Sequence, residues 1–305
     1  MINDKLVNRT LSQYFDTWQV IKKWETTDHH FLAIIKAQNR QYIFKSPYPY
    51  ALSAYYSRSF YSLNSTAKYL KICYERNLPV IPFTKNKQGE YITKITDKRF
   101  TYVIPYFEHH EKQTWDIIVL REVAKTQAKL HNVASEIKFN RLKRHKLTFI
   151  DYEMNFRKIE KKSQTQFLKN LLNRGVTELS YIRENFDKLP NGICHNDIGK
   201  VNILYNTKSK ELKIIDFDFS DRNIFAIDLS MAIKHFCLVN KAVFTANEMQ
   251  TYLSAYQTVR RLSQSEVRVL KSALVFTSWP IYNFVTNKLN ESYLEENIKK
   301  IDSLH

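Results

Sequence analysis

The chain has 305 residues, 44% of them hydrophobic and 14% aromatic. That is enough to build a large core and excludes a disordered or fibrous protein. The net charge is +17, but no zinc-finger spacing, RNP-like aromatic motif or heptad run accompanies it, so a Lys-rich solvated surface is favoured over a nucleic-acid or membrane partner.

Three scattered cysteines, Cys73, Cys194 and Cys237, form neither a disulfide framework nor a metal cluster. The polar start MINDKLVNRT and the lack of a membrane-length apolar run predict a soluble cytoplasmic protein. In chain order, residues 6–17 predict a short helix. Three β-rich runs follow at 18–24, 31–37 and 41–45, with Asn39-Arg40 as a hairpin turn. Lys45 ends the run YIFK, ahead of Pro47 and Pro49. A lysine there either reaches a phosphate or is simply solvated, and the segment alone leaves both readings open. Residues 51–76 read as a helix with the stripe Tyr61, Tyr69, Leu70 and Cys73, closed by Asn77-Leu78-Pro79. Strands are expected at 80–83, 91–95 and 100–104. Residues 1–104 are thus a small sheet with one helix, and a hinge is placed at 105–114, beginning Pro105-Tyr106-Phe107-Glu108.

A helix is expected from Trp115 to His131, with Thr114 at its N-cap and Asp116 in its first turn. Residues 138–162 hold nine Lys/Arg against three Asp/Glu. A solvated helical face explains this better than a surface for an anionic partner. Helix continues over 163–186, and Leu189-Pro190-Asn191-Gly192 is a turn. Later helices are expected from Asp228 to about Leu238, over 247–259 and over 265–289. The last begins with the capping-box pattern Ser263 to Glu266 and is interrupted by Pro280.

The stretch Cys194–Asp216, CHNDIGKVNILYNTKSKELKIID, carries the chemistry. His195, Asp197 and Asn202 stand in an H-x-D-x-x-x-x-N spacing, and Asp216 follows inside the apolar run Ile214-Ile215-Asp216-Phe217. Residues 201–205 and 212–217 read as a β-hairpin. Phosphoryl transfer needs a carboxylate to orient the attacking hydroxyl, a metal on the phosphates and a cation beside them. Asp197 is that carboxylate, and Asn202 and Asp216 are oxygen ligands of the kind magnesium takes. His195 is expected to brace the loop.

These motifs resemble the aminoglycoside phosphotransferase/choline kinase family of the protein-kinase-like fold. The chain reads HND, NIL, IDFD and DLS where that family has H-[GN]-D, N-[IV]-L, I-D-[FW]-[DE] and D-[LI]-[AS]. Leu130-His131, Leu78-Pro79-Val80 and Gly89-Glu90-Tyr91 extend the likeness, the latter two toward homoserine-kinase-like members. The resemblance implies an α+β, two-lobed fold, with a β-rich N-lobe at 1–104 and a helical C-lobe at 115–305. It implies Asp197 as catalytic base with His195 beside it, and magnesium on Asn202 and Asp216. ATP contacts are implied at Lys45, at Thr26 and Thr27 in the turn Glu25–His30, and at Pro105 and Phe107 in the hinge. Asp228 braces the loop, and Asp218 lies near the metal or the acceptor.

Two features depart from the family pattern. The turn Glu25–His30 has no glycine, and residues 51–74 contain no acidic residue to pair with Lys45. The reaction expected is transfer of the γ-phosphate of ATP to a hydroxyl of a small molecule. An amino alcohol or hydroxy amino acid suits a +17 chain better than a polycationic aminoglycoside. Choline is a further acceptor, with Trp279 and Tyr282 as aromatic candidates. A weak or inactive nucleotide-binding module of the same fold is the alternative. No nucleic-acid or membrane partner is expected.

Overall fold

The computed structural model describes residues 4–25, 31–46, 60–96, 99–109, 116–138, 147–162, 164–239, 243–277, 279–286 and 290–304. The chain divides into two compact units. One is Met1–Lys112 with Phe139–Leu142 and Leu204–Ser220; the other is Gln113–Lys138, Lys143–Ile203 and Asp221–His305. The segment Leu204–Ser220 therefore belongs to the amino-terminal unit, although its place in the chain grouped it with 115–305.

The first unit contains α1 (Asp4–Leu11), β1 (Gln19–Glu25), β2 (Phe31–Ala37), β3 (Arg40–Ser46), α2 (Phe60–Glu75), β4 (Thr93–Thr96) and β5 (Arg99–Pro105). The strands form one antiparallel sheet in the order β1-β2-β3-β5-β4. Strict alternation gives the sheet two faces. Phe31, Ala33, Ile35, Ala37, Tyr42 and Phe44 bury one face against Val7, Leu11 and Phe15. Leu32, Ile34, Ile43 and Lys45 occupy the other, half-buried. The β2–β3 turn falls at Gln38 (φ 49°) and Asn39 (φ 60°), one residue before the expected position. Two successive residues with positive φ make the turn that matches strand twist, and asparagine tolerates it well.

Two expectations change here. The first helix ends at Leu11 rather than 17. Residues 80–83 are not a strand: Val80 makes a single parallel bridge to Ile214, whose N–H donates to Pro79 O at 2.8 Å. Pro82 has no N–H to extend a ladder.

The second unit holds α3 (Ile117–Glu136), α4 (Leu147–Glu160), α5 (Gln166–Asn185) and β6 (Asn191–Cys194). The short strands β7 (Ile203–Asn206) and β8 (Glu211–Ile214) come next and pair with each other. The second unit then resumes with β9 (Asp221–Ile224), which pairs with β6, and α6 (Phe225–Cys237). Strands β10 (Leu238–Val239) and β11 (Val243–Phe244) and helices α7 (Ala246–Gln257), α8 (Gln264–Phe276), α9 (Trp279–Val285) and α10 (Glu291–Asp302) complete it.

Asp116, not Thr114, caps α3, accepting the N–H groups of Ile118 and Val119 at 2.9 Å each; Thr114 lies outside the described residues. The α8 capping box forms with both of its bonds. The expected helix 265–289 divides after Phe276. Pro280 sits at the start of α9, where its missing N–H costs nothing. Among the described residues no helix is long and apolar enough to cross a membrane.

Gly175 in α5 explains how three elements pack. A Cβ there would lie 2.9 Å from the Phe276 ring and closer still to Phe156, and both rings are buried. Gly175→Ala gains helix propensity but overpacks this contact, and should lower stability by about 1 kcal/mol or more in urea unfolding.

Candidate active site

In the amino-terminal unit the site is built around Lys45. Its ammonium lies 2.6 Å from Asp216 Oδ1 and 2.8 Å from Asp218 Oδ2. Burial alone would lower the lysine pKa, but the charges of Asp218 and Asp216 outweigh it and hold the group above its ordinary value. This answers the missing acid in residues 51–74. The lysine has charged partners, but they come from the turn after β8 and not from α2. Asp216 adopts a left-handed conformation (φ 62°, ψ 58°) at the entry to a 3-10 turn, Phe217–Phe219, which carries Asp218. The Tyr102 hydroxyl donates to Asp218 Oδ1 at 2.6 Å. Lys45 and Tyr102 are direct cross-strand partners on β3 and β5, so one face of the sheet presents both donors.

Beside Lys45 on that face, Leu32, Ile34, Ile43 and Ile104 make an apolar, half-buried surface. Pro105 is exposed at the end of β5, and Phe107 lies half-buried with Lys213 Nζ 5.8 Å above its ring. A cleft of about 820 Å³ runs past Pro105, but its lining includes Tyr42 and Thr84 and neither Lys45 nor Asp216. Thr26 and Thr27 lie outside the described residues.

In the carboxy-terminal unit the loop after β6 carries Asp197. Asn202 fixes it: its Nδ2 donates to Asp197 Oδ2 at 2.9 Å and to Asp197 O at 2.8 Å. With that nitrogen committed, the amide oxygen is the atom Asn202 can offer a cation, which fits a hard divalent metal. The two carboxylates around the single charge of Lys45 fit one as well. His195 is buried, and its Nδ1 accepts the Asp197 N–H at 3.2 Å. Asp197 itself stays 36% exposed, and His235 Nε2 lies 3.6 Å from its Oδ1. His235, in the last turn of α6, went unread in the sequence because its neighbour is 38 residues away. Its ring has room because residue 199 is glycine: a Cβ there would meet the ring at 3.1–3.4 Å. Gly199→Ala should displace His235 and lower kcat, with unfolding temperature little changed.

Asp228 braces this loop from the first turn of α6. Its Oδ1 accepts the Asn196 N–H at 2.5 Å, with Asn196 left-handed (φ 63°). Its Oδ2 accepts from Gln127 Nε2 and His131 Nε2, each at 2.8 Å. His131 Nδ1 in turn meets the Tyr256 hydroxyl at 2.6 Å, and Tyr252 donates to Gln127 Oε1 at 2.9 Å. Burial raises the Asp228 pKa, but its donors outweigh that and leave it below the ordinary value. His131, Cys194 and Asp228 gather within 4.8 Å, close enough to suggest a metal cage. Burial pushes the Cys194 thiol well up, and the other two residues are committed to hydrogen bonds, so this is a brace and not a centre.

Trp279 opens α9, and its side chain is outside the described set. Tyr282 is partly exposed, with Lys158 Nζ 5.6 Å from its ring centroid, so an ammonium already occupies that face.

The pattern of choline/ethanolamine kinases matches residues 110–266, and the chain belongs to the choline/ethanolamine kinase family. It is similar to the homoserine kinase of Agrobacterium fabrum, 28% identical over 173 residues, 54% of this chain and 52% of that one. It is also similar to the homoserine kinase of Rhodopseudomonas palustris, 33% identical over 96 residues, 31% of this chain and 29% of that one. The chain thus spans about half or less of the curated relatives it matches. In structure it resembles an amicoumacin kinase solved with AMP-PNP and Ca2+ (TM-score 0.65, 15% identity, 99% of this chain and 93% of that one). It also resembles the choline kinase of Cryptosporidium parvum (TM-score 0.55, 11% identity, 98% and 94%). The fold is protein-kinase-like.

Burial lowers the His131 pKa despite its bond to Asp228. A histidine depressed in the folded state contributes stability that is present above its unfolded pKa and lost as pH falls below about 6.5. Asp228, also depressed, contributes stability lost only below the ordinary carboxylate range. The unfolding midpoint should therefore fall between pH 7 and 5, and His131→Gln should flatten that slope.

Proposed function

We propose that the chain is an ATP- and magnesium-dependent kinase that moves the γ-phosphoryl group to a hydroxyl of a small molecule. The observation that carries this reading is Asp197. One of its carboxylate oxygens is held by Asn202, while the side chain remains open enough to meet an acceptor hydroxyl. Asp197 orients that hydroxyl and takes its proton. His195 and the Asp228 network hold the loop. Lys45 binds phosphate, and the apolar surface of Ile34, Ile43 and Ile104 receives the base. Asn202 and Asp216 are the metal ligands. Magnesium, when bound, neutralises phosphate charge and aligns the transferring group.

The acceptor class proposed is a small amino alcohol or hydroxy amino acid. It is supported by the family pattern, by the homoserine kinases and by an aminopropanol kinase of similar fold. The Tyr282 face, already covered by Lys158, gives no support to a quaternary ammonium there. The inactive-module alternative was motivated by the missing helix acid and by the glycine-free turn Glu25–His30, and the pairing of Lys45 with Asp216 and Asp218 speaks against the first of these.

The test is ADP release across a panel of homoserine, ethanolamine, aminopropanol, choline and aminoglycosides. Turnover of one acceptor well above ATP hydrolysis is expected. Asp197→Asn should lower kcat by about 10²–10⁴-fold while retaining nucleotide binding. Turnover that survives Asp197→Asn would overturn the assignment of the base.

A further inference from the structure

We infer that Asp218 is the permanent counter-ion of Lys45 and replaces the helix carboxylate that this chain lacks, so that Asp216 can be given up to a metal. The inference rests on Lys45 being a nucleotide ligand, as proposed above.

The two carboxylates around Lys45 are not equivalent. Asp218 has 8% of its side chain exposed and Asp216 has 34%. Both oxygens of Asp218 face protein groups: Oδ1 accepts the Tyr102 hydroxyl at 2.6 Å, and Oδ2 lies 2.8 Å from the Lys45 ammonium in an ion pair outside hydrogen-bond geometry. Magnesium keeps several waters and takes few protein ligands, so it suits the open carboxylate and not the enclosed one. One ammonium between two carboxylates leaves a net negative charge. A metal taking Asp216 leaves Lys45 balanced by Asp218 alone.

The described groups that hold Asp218 come from β3 and β5. Tyr102 is fixed by stacking on Phe83, with ring centroids 4.1 Å apart and planes within 6°. Tyr102 and Lys45 face each other across the β3–β5 ladder. The only acidic residue of α2, Glu75, ends the helix and pairs with Lys71 at 3.1 Å. Among the described residues, the sheet register and the two carboxylates Asp216 and Asp218 position the lysine.

ADP binding by calorimetry, with EDTA and again with magnesium, separates the two carboxylates. Asp218→Asn should weaken metal-free ADP binding by about tenfold or more, the scale of a charge-assisted contact. Asp216→Asn should leave metal-free binding within about threefold and abolish the gain from magnesium, because only a metal ligand carries that gain. In a Lys45→Met background, Asp218→Asn should change ADP affinity less than about twofold, as expected of residues acting as one unit. The unfolding midpoints of these variants should be non-additive as well. Loss of the magnesium gain in Asp218→Asn, with metal-free affinity intact, would make Asp218 a metal ligand and overturn the inference. Additive midpoints would do the same. Non-additive midpoints in a chain that binds no ADP would uphold the ion pair and sink the kinase reading instead.

Discussion

Lys45 places a single positive charge between two carboxylates, and the candidate site of the amino-terminal unit depends on that balance. Bringing these ions out of water is costly, and the cost is offset only when geometry and extra hydrogen bonds are good. Here the distances are 2.6 and 2.8 Å, and Tyr102 satisfies the remaining oxygen of the more enclosed acid. Removing the lysine from such an arrangement leaves two carboxylates facing each other without a cation, and losing the cation of a buried pair costs about 3–5 kcal/mol. The sheet register, the Phe83–Tyr102 stack and the left-handed Asp216 all serve to keep three charged groups within reach of one another.

The helical unit solves a different problem. The carboxylate proposed as its base stays partly open to solvent while its position is fixed. The chain does this by moving the bracing one layer inward. Asp197 is held through Asn202 and His195, and the loop that carries them is held through Asn196 by Asp228. Asp228 is in turn enclosed by Gln127 and His131, with Tyr252 and Tyr256 behind them. A fully satisfied buried network of this kind confers rigidity that single surface contacts do not.

The parts of this site that could be read in the sequence were those defined by short spacing. His195, Asp197 and Asn202 lie within eight residues, and their chemistry follows from local order. The capping box at Ser263 and Glu266 was legible for the same reason. Residues that meet across long separations were not. Lys45 and Asp218 are 173 positions apart, Tyr102 and Asp218 are 116 apart, and His235 reaches Asp197 from the far end of α6. The acids were visible, but nothing in their spacing showed that the lysine's partner lay beyond the catalytic loop. Propensity misled at 80–83, where apolar residues suggested a strand but the prolines removed the donors a ladder requires. At 265–289 the break between α8 and α9 was legible, because Pro280 announced it.

The central claim is that one carboxylate serves the lysine and the other serves the metal. A crystal structure with a non-hydrolysable ATP analogue and Mn2+, with the metal located by anomalous scattering, tests it most directly. The account predicts manganese on Asp216, with Lys45 still within hydrogen-bond distance of Asp218. Manganese on Asp218, or Lys45 released from it, would contradict the account.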